Sequence, residues 1–459
     1  MSTPVLFAYW VAALCFILAL KGLSSPKYAR YGNLIGAFGA GLAVVVTLSL
    51  HGLGHRWFII IAIVFGSLLA VPAARLVKMT AIPQMVAIFN GVGGGAAALV
   101  SITEFVRLHN TDTNAAASAV VFTAIVGSVS FSGSMITFAK LQELMTGRPI
   151  LVPGARYVTS VIALGALGLG IATVPASSVP LLVACGLLSL VLGVLFVLPV
   201  GGADVPVVIS LLNAFTGLTV AASGYVLDNT LLIVAGTLVG ASGTLLTQLM
   251  AHAMGRPITG VLFGAFKGGS TAGSTAEVTT GDRAVRSAGA DDIAILLAYA
   301  RKVAIVPGYG LAVAQAQHTI RELVDLLESR GVQVFYAIHP VAGRMPGHMN
   351  VLLAEANVPY EQLKEMDEAN PEFTSTDVAV VVGANDVVNP AARDQVGSPI
   401  YGMPILNVDE AANVVFMKRS LRPGFAGIDN ALLYHPKTTL FFGDAKDSLS
   451  KLVAAVKSL

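Results

Sequence analysis

The first 262 residues of the chain contain nine apolar segments, each long enough to cross a membrane as a helix. A helix needs about 20 apolar residues to cross roughly 30 Å of hydrocarbon. The segments lie at about residues 4–21, 33–50, 57–74, 82–101, 115–138, 157–174, 179–198, 205–223 and 230–253. The sixth and seventh can also be read as one long stretch, but the two prolines between them favour two helices. The sequence therefore predicts a multi-span α-helical membrane domain over residues 1–262.

Charged residues are sparse and unevenly divided. They form 12% of the chain, against roughly 25% in an ordinary soluble domain. Residues 1–262 hold 11 Lys/Arg and 5 Asp/Glu, whereas residues 263–459 hold 17 and 21, so the net charges are +6 and −4. The second part has the composition of a soluble domain, and neither part carries a basic face large enough for nucleic acid.

The Lys and Arg residues of the short loops indicate how the segments are oriented. Loops after odd-numbered segments hold nine of them, namely Lys21, Lys27, Arg30, Arg75, Lys78, Lys140, Arg148, Arg156 and Arg256. Loops after even-numbered segments hold only Arg56 and Arg107. Because cytoplasmic loops are enriched in Lys and Arg, we predict a multi-pass membrane protein with its N-terminus outside and its C-terminal domain in the cytoplasm.

Four polar residues within or beside the segments are candidates for a polar pathway: Asn90, Asp204, Asn213 and Asn229. Polar side chains are costly in hydrocarbon and usually face a partner group or a water-filled cavity. Asp204 lies near the start of a segment, so it is also a candidate helix cap. The dense glycines and alanines at 91–98 favour close packing of helices.

The second domain begins after residues 263–289, whose Gly, Ser and Thr content is typical of a flexible linker. Within residues 290–459, a predicted strand at 302–306 runs into Pro-Gly-Tyr-Gly-Leu-Ala-Val-Ala at 307–314. The helix predicted after it has an apolar face, formed by Ala316, Ile320, Leu323, Val324 and Leu327. Further strands are predicted at about 332–338, 377–382, 404–408, 413–417 and 438–442. Glycines between a strand and a helix permit close approach of the backbone to a pyrophosphate, so we predict a doubly wound, Rossmann-like α/β domain with a parallel sheet that binds a dinucleotide.

The end of the second strand indicates which dinucleotide is bound. An NAD site usually carries an acid there for the ribose 2′-hydroxyl, but this strand ends in Ala-Ile-His-Pro at 337–340. Arg344, or the pair Lys418 and Arg419 with Ser420 beside it, offers donors for a 2′-phosphate. The pair can also be read as a solvated basic turn. The pattern favours NADP(H) over NAD(H).

Five segments together resemble the β subunit of proton-translocating NAD(P) transhydrogenase. They are 307–317, 339–350, 383–390, 418–420 and 443–446, and the resemblance runs from the first membrane segments to the last strand. The resemblance implies that NADP(H) is bound by Gly308, Tyr309, Gly310, Leu311, Ala312, Val313, Ala314, Val341, Ala342, Gly343, Arg344, Met345, Pro346, Gly383, Ala384, Asn385, Asp386, Val387, Gly402, Met403, Lys418, Arg419, Ser420, Gly424, Phe425, Asp444 and Ala445. It places Asp386 at the reaction centre and makes 424–427 a lid, with Phe425 where a tyrosine is common. No metal is implied.

In the membrane, some members of that family carry a histidine where this chain has Asn90. An amide cannot take up a proton near pH 7 as imidazole can. The proton-bearing group is then expected on a partner chain, or is a bound water guided by Asn90. The resemblance also links Asn229 with this pathway and places Asp204 near its cytoplasmic mouth.

The resemblance further implies a partner, because one dinucleotide site cannot hold both hydride donor and acceptor. A transhydrogenase α subunit would bring NAD(H), with two αβ units forming a dimer in the lipid bilayer of the bacterial inner (plasma) membrane. The expected reaction is Re/Si-specific hydride exchange between NADH and NADP⁺, coupled to inward proton movement. One alternative is a membrane transporter or channel that is gated by NADP(H). Another is a self-sufficient NADPH oxidoreductase, which the lack of a flavin or haem motif disfavours.

Overall fold

The fold is taken from a computed structural model of the chain. The structure describes residues 3–25, 28–49, 54, 56–108, 114–146, 150, 154–201, 204–254, 257–263, 285–343, 345, 347–396, 398, 400–424 and 426–459. They fall into two compact units, one membrane-type and one soluble-type, and each is described by itself.

Nine helices in the described part of the chain are long and apolar enough to span a membrane, which confirms the prediction of a multi-span domain. They are α1 Thr3–Leu23, α2 Ala29–Leu48, α3 Arg56–Leu76, α4 Ile82–Leu108, α5 Asn114–Leu141, α6 Ala155–Ala176, α7 Val179–Val197, α8 Val205–Val226 and α9 Thr230–Ala253. A short helix, α10 Ile258–Phe263, follows them. The sixth and seventh helices are separate, because the chain turns at Ser177 (φ 44°) and Pro180 lies in the first turn of α7.

Small residues allow these helices to pack closely, as their sequence indicates. A Cβ added to Gly127 of α5 would lie 2.7 Å from the carbonyl oxygen of Gly94 in α4, and one added to Gly217 of α8 would lie 2.5 Å from the nitrogen of Gly240 in α9. Helix α5 packs against α4, α6, α7 and α8. At its end, Lys140 is buried and its Nζ donates to the carbonyl oxygens at the end of α7, those of Val197, Leu198 and Val200, at 3.0, 2.6 and 2.7 Å. A cation at a helix C-terminus is favourable, so Lys140 fixes α5 to the end of α7.

The second unit contains a six-stranded, fully parallel sheet. Its strands are β1 Lys302–Pro307, β2 Gln333–Ile338, β3 Leu363–Glu365, β4 Val378–Val382, β5 Asn413–Lys418 and β6 Thr438–Phe442, in the spatial order β3-β2-β1-β4-β5-β6. This is the order of a doubly wound Rossmann fold, whose strand order reverses between β1 and β4. The predicted fold class is confirmed.

Helices cover both faces of this sheet. They are α11 Ala290–Ala298, α12 Tyr309–Val313, α13 Gln317–Ser329, α14 His348–Glu355, α15 Met366–Ala369, α16 Ala391–Asp394 and α17 Ala445–Ser458. The strands are apolar on both sides: in β4, Val378 and Val380 enter the core that contains α13 and α17, and Ala379 and Val381 enter the core on the other side. Burial on both faces is what a parallel sheet requires. The predicted apolar face of α13 is also fully buried.

Three local predictions were wrong or incomplete. Residues 404–408 form no strand, since Pro404 has no N–H to donate and the Leu406 N–H donates instead to Val387 O, at 2.9 Å. The edge strand β3 was missed because Leu-Lys-Glu shows no apolar pattern. The helix after the glycine turn is broken into α12 and α13 at Gln315, which has a positive φ of 50°. The described end of the predicted linker runs along β6, where Ala288 N donates to Leu440 O at 3.1 Å.

Candidate functional site

The candidate site lies where the strand order reverses, at the carboxyl ends of β1 and β4. Gly308 follows β1, and its N–H donates to Val382 O of β4 at 2.9 Å. Gly310 N donates to Gly383 O at 3.0 Å, so the loops after the two strands are joined backbone to backbone. A Cβ on Gly310 would lie 2.7 Å from Gly383 Cα, and Gly383 itself has φ +68°. Glycine is therefore required at both positions by close approach and by backbone conformation.

The cleft above these loops is lined by residues from four segments. They are Gly310, Val313, Ala314, Gly383, Ala384, Asn385, Met417, Lys418, Arg419, Arg422, Pro423, Gly424, Gly443, Asp444 and Ala445. Eleven of these residues are among those that the resemblance assigned to NADP(H). A crevice at the carboxyl ends of parallel strands, beside the reversal of strand order, is where open α/β sheets bind ligands.

Lys418, Arg419 and Arg422 make one wall of this cleft basic. The chain turns back after β5: Lys418 Nζ donates to Arg422 O at 3.0 Å, and Arg422 N donates to Ser420 Oγ at 3.4 Å. Lys418 Nζ also donates to Asn385 Oδ1, at 2.9 Å, which connects this wall with the loop after β4. Burial lowers the pKa of the Lys418 ammonium, and the carboxylates of Asp386 and Asp429 oppose that shift.

Asp386 joins the loop after β4 to the segment that the resemblance makes a lid. Its Oδ2 accepts from Ala426 N at 2.8 Å, and its Oδ1 accepts from Asn385 Nδ2 at 2.9 Å. A Cβ on Gly424 would lie 2.5 Å from Asn385 Nδ2. The two segments therefore touch closely at Gly424, and Asp386 holds Ala426 beside the cleft. Phe425 lies outside the described residues.

Two buried histidines flank the loop after β2: His339 follows the strand directly, and His348 begins α14. His339 Nδ1 accepts from Val341 N at 3.2 Å, so Nε2 carries the proton and donates to Pro404 O at 2.8 Å. Burial lowers the pKa of His339 to about 4, so the ring is neutral near pH 7. Gly343 (φ +113°) passes directly over His348, whose ring is 6.0 Å from that of Tyr309. This packing fixes the loop beside the glycine turn.

The other residues that the resemblance assigned to NADP(H) do not line the described cleft. Gly308, Tyr309, Leu311 and Ala312 lie in the glycine turn, Leu311 and Ala312 being buried in its core. Val341, Ala342, Gly343 and Met345 lie in the loop after β2, and Arg344 and Pro346 fall outside the described residues. Met403 belongs to a small apolar cluster against which Ala426 packs, and the exposed Gly402 donates its N–H to Ala392 O at 2.9 Å. Val387 packs against a core of the sheet, and Ser420 lies in the basic turn.

Sequence reasoning missed four residues of the cleft, namely Met417, Arg422, Pro423 and Gly443. Arg422 could have been found, since a third basic residue follows Lys418 and Arg419 within four positions. Met417 is the last residue but one of β5 and Gly443 follows β6, so only the position of the strand ends reveals them. Asp444 begins α17, and its Oδ1 accepts from Lys446 N at 3.0 Å, so its carboxylate caps the helix.

Asn90 lies in a buried hydrogen-bond network between α4, α5 and α8. Its Nδ2 donates to Ser134 Oγ at 2.9 Å and to Ser130 Oγ at 3.3 Å. Ser130 Oγ is 2.7 Å from Thr216 Oγ1 and donates to Leu212 O at 3.0 Å. The Asn90 Oδ1 atom is buried and has no hydrogen-bond partner among the described residues. An oxygen in this state suits a donor from outside the chain's described part.

The other three candidate residues of the polar pathway lie elsewhere in the membrane helices. Asp204 precedes α8 without a hydrogen bond from its side chain to the helix end, so it does not cap the helix. Asn213 lies on the exposed face of α8. Asn229 Oδ1 accepts from Leu232 N at 3.2 Å at the start of α9. Asn229 therefore caps a helix, the role that was considered for Asp204.

Fold and site together define a class: a polytopic membrane protein whose C-terminal part is a Rossmann-like domain with a basic cleft at the switch point of its sheet. The family model for the NAD(P) transhydrogenase beta subunit matches residues 5–455. The chain is 45% identical over 457 residues to the NAD(P) transhydrogenase subunit beta of Rhodospirillum rubrum, which covers 98% of each chain. A protein of the same name from a designated strain of that species gives the same values. The chain belongs to the NAD(P) transhydrogenase beta subunit family, which confirms the resemblance.

Proposed function

We propose that this chain is the NADP(H)-binding and proton-translocating subunit of a transhydrogenase that exchanges hydride between NADH and NADP⁺. The observation that carries the proposal is the cleft itself. Its floor is glycine backbone from the ends of β1 and β4, and its wall carries Lys418, Arg419 and Arg422. A flat, anionic dinucleotide with an additional phosphate fits this combination of bare backbone and clustered cations.

The end of β2 supports NADP(H) rather than NAD(H). An NAD site needs a carboxylate there, but His339 occupies the position after β2 and is neutral. The Ser420 hydroxyl lies beside the basic wall, held by Arg422 N at 3.4 Å. The 2′-phosphate then interacts with Lys418, Arg419 and Ser420, as the family resemblance implies.

When bound, the nicotinamide supplies the hydride chemistry, and the residues of this chain supply position and electrostatics. The glycine loops let the cofactor approach the backbone, and the cations fix its phosphate end. Asp386 holds Ala426 through a hydrogen bond from Ala426 N, at 2.8 Å, and would keep this part of the lid near the nicotinamide end. Orientation of this kind supplies most of what a direct hydride transfer requires.

Hydride exchange needs a second dinucleotide, and the fold described for this chain supplies one Rossmann-like domain. We assign NAD(H) to a partner α subunit, whose domain docks at the nicotinamide end, in a dimer of αβ units. The exchange is Re/Si-specific. The same partner, or a bound water, supplies the hydrogen-bond donor for Asn90 Oδ1, which is buried and lacks one among the described residues.

Coupling follows from a shift between two states of the cofactor domain, biased by protonation in the helix bundle. One charge crossing 100 mV is worth about 2.3 kcal/mol, which corresponds to roughly a fiftyfold change in an equilibrium constant. With the N-terminus outside and the C-terminal domain in the cytoplasm, inward proton movement across the bacterial inner membrane drives NADPH formation. The route includes Asn90, with Asp204, Asn213 and Asn229 as the further polar positions.

The test is to co-express the chain with an α-type partner, reconstitute the complex in sealed vesicles, and follow reduction of an NADP⁺ analogue by NADH together with lumenal pH. We expect hydride exchange with proton movement, accelerated by an uncoupler. Exchange should be lost in a Lys418→Ala, Arg419→Ala double variant and retained in Lys451→Ala, which removes an exposed lysine of α17. NADP(H) binding without hydride exchange under any partner would refute the proposal in favour of a gated transporter.

A further inference from the structure

A small cavity lies between α4, α5 and α8, at the ends that the loop charges predict to face outside. Its polar lining comes from all three helices: Ser101 and Glu104 of α4, Thr123 of α5 and Ser223 of α8. Its volume is about 10 Å³, and one water molecule needs roughly 10–15 Å³. Ser223 Oγ is buried and has no hydrogen-bond partner within the described ranges. The cavity therefore offers an unused hydroxyl in a space suited to one water.

This cavity and the Asn90 network lie on the same faces of the three helices. Glu104 follows Asn90 by 14 residues on α4, which is close to four turns and about 21 Å of axial rise. On α5, Ser130 follows Thr123 by 7 residues, and on α8, Ser223 follows Thr216 by 7 residues, which is close to two turns in both cases. The six residues are called the polar seam: Glu104, Thr123 and Ser223 at the cavity, and Asn90, Ser130 and Thr216 at the network.

The layer between the two ends of the polar seam is made of small residues. Gly94 and Ala98 of α4 meet Gly127 of α5, where a Cβ would lie 2.7 Å from Gly94 O and 3.1 Å from Ala98 N. On α8, Thr219 is fully buried, and its hydroxyl donates to Thr216 O at 2.7 Å. The polar groups thus continue on α8 where the contact between α4 and α5 is tightest.

Glu104 is the sole carboxylate in the described spans α4, α5 and α8. Its side chain is 15% exposed, and its Oε1 lies 2.9 Å from Nη1 of Arg107, whose side chain is 75% exposed. The described part of α5 brings no ionisable group to the cavity, and α8 is followed by the exposed Asp228. His109 and Asp112 lie outside the described residues. Glu104 therefore connects solvent, through Arg107, with the cavity.

We propose that Glu104 is the proton-collecting group at the outer mouth of the pathway. The carboxylate accepts a proton from water outside, and the acid formed releases it to water in the cavity, from which it passes along the polar seam toward Asn90. Each transfer breaks one O–H bond and forms another, so no redox partner is involved. This assignment rests on the proposed function and on the predicted orientation of the helices.

The experiment uses the complete complex with an α-type partner in sealed vesicles whose lumen faces the outer ends of the helices. Hydride exchange and lumenal pH are recorded while the lumenal pH is varied and the external pH is fixed. We expect Glu104→Gln to slow coupled proton movement at least about tenfold and to abolish its dependence on lumenal pH, because a positioned acid–base group is lost. Affinity for NADPH should stay within about twofold of wild type. The control variant, Asp228→Asn, removes an exposed carboxylate that follows α8. It should leave coupled proton movement within about twofold of wild type.

Glu104→Asp provides a second variant with the same chemistry and a shorter reach, and Ser223→Ala removes the unused cavity hydroxyl. We expect slower proton movement with the lumenal pH dependence retained in the first, and slower movement in the second. Wild-type rates and an unchanged pH dependence in Glu104→Gln, or no change in either second variant, would overturn the assignment. A wild-type complex that exchanges no hydride at all would instead remove the proposed function, so the two failures are distinguishable.

Discussion

Lys418→Ala should weaken NADPH binding far more than it weakens binding of a dinucleotide without the 2′-phosphate. The Lys418 ammonium is fixed from two sides, by Asn385 Oδ1 at 2.9 Å and Arg422 O at 3.0 Å. Its remaining donor and its charge face the cleft that it lines with Arg419. A phosphate placed there receives a charge-assisted hydrogen bond from a side chain that is already positioned.

A hydrogen bond to a charged group contributes about 1.5–3 kcal/mol. At about 1.4 kcal/mol for each factor of ten, Lys418→Ala should raise the Kd for NADPH by about 10- to 100-fold. The Kd for NADH should change by less than about threefold. Lys418→Ala also removes the hydrogen bond to Asn385, which connects the loop after β4 to the basic wall, and this contributes part of the lost affinity for NADPH. Lys418→Arg keeps the charge and should recover part of the affinity.

The assay is calorimetric titration of the full chain in detergent with NADPH, NADH and 2′,5′-ADP, at low and high salt. Lys451→Ala on α17 is the matched control, because it removes one exposed lysine of the same domain. The salt dependence for 2′,5′-ADP should be smaller in Lys418→Ala than in wild type. An equal loss of affinity for NADPH and NADH would show that Lys418 supports the loop rather than the phosphate, and would refute the assignment.

Three other changes probe the same domain. Gly308→Ala should abolish NADPH binding and lower the unfolding midpoint, because a Cβ there collides with the Ala384 backbone; an unchanged Kd in titration would contradict the close approach of the two loops. Asp386→Asn should slow hydride exchange at least about tenfold in single-turnover assays while NADPH affinity falls less, since the hydrogen bond to Ala426 N weakens without losing its acceptor; equal losses would remove Asp386 from the reaction centre. Burial lowers the pKa of His339 from 6.5 to about 4, so the unfolded chain binds the extra proton between these values, and stability should fall as pH drops from about 6.5 to about 4. Urea unfolding of the full chain across this range should show a flatter pH dependence in His339→Asn, and an identical slope would refute the assignment.

Patterns with a strict physical cause were predictable from the sequence. Nine apolar segments specify the nine long apolar helices of the described residues, because hydrocarbon thickness fixes their length, and the apolar face of α13 specifies its burial. Gly310 and Gly383 could be assigned to the cleft because both follow strand ends, whereas Gly308 lies in the glycine turn beside it. What failed depended on tertiary partners: the segment 404–408 resembles a strand until Pro404 and the loop after β4 determine its hydrogen bonds.

Side-chain connections across the sheet could not be predicted in the same way. Lys418 was assigned to a phosphate, but its link to Asn385 joins residues that are 33 positions apart, and no local pattern reports it. Asp204 was a candidate cap by position, yet Asn229 is the residue whose side chain accepts from a helix N–H. Asn213 and Asn90 both lie well inside their apolar segments, so the sequence does not distinguish them. The rotation of each helix about its axis decides that the Asn213 side chain is exposed and the Asn90 side chain is buried.

Under the proposed function, the energy of one translocated proton is similar to that of the hydrogen bond between Asp386 and Ala426, so we expect coupling to act at this contact. A proton crossing 100 mV releases about 2.3 kcal/mol. A charge-assisted hydrogen bond such as that from Ala426 N to Asp386 Oδ2 contributes about 1.5–3 kcal/mol. The energy of one proton is therefore enough to open or close one such contact. It is not enough to break the backbone hydrogen bonds that join the loops after β1 and β4 together with the core beneath them. Binding through rigid glycine loops and gating through a single carboxylate contact would let the cofactor stay held while its exposure changes.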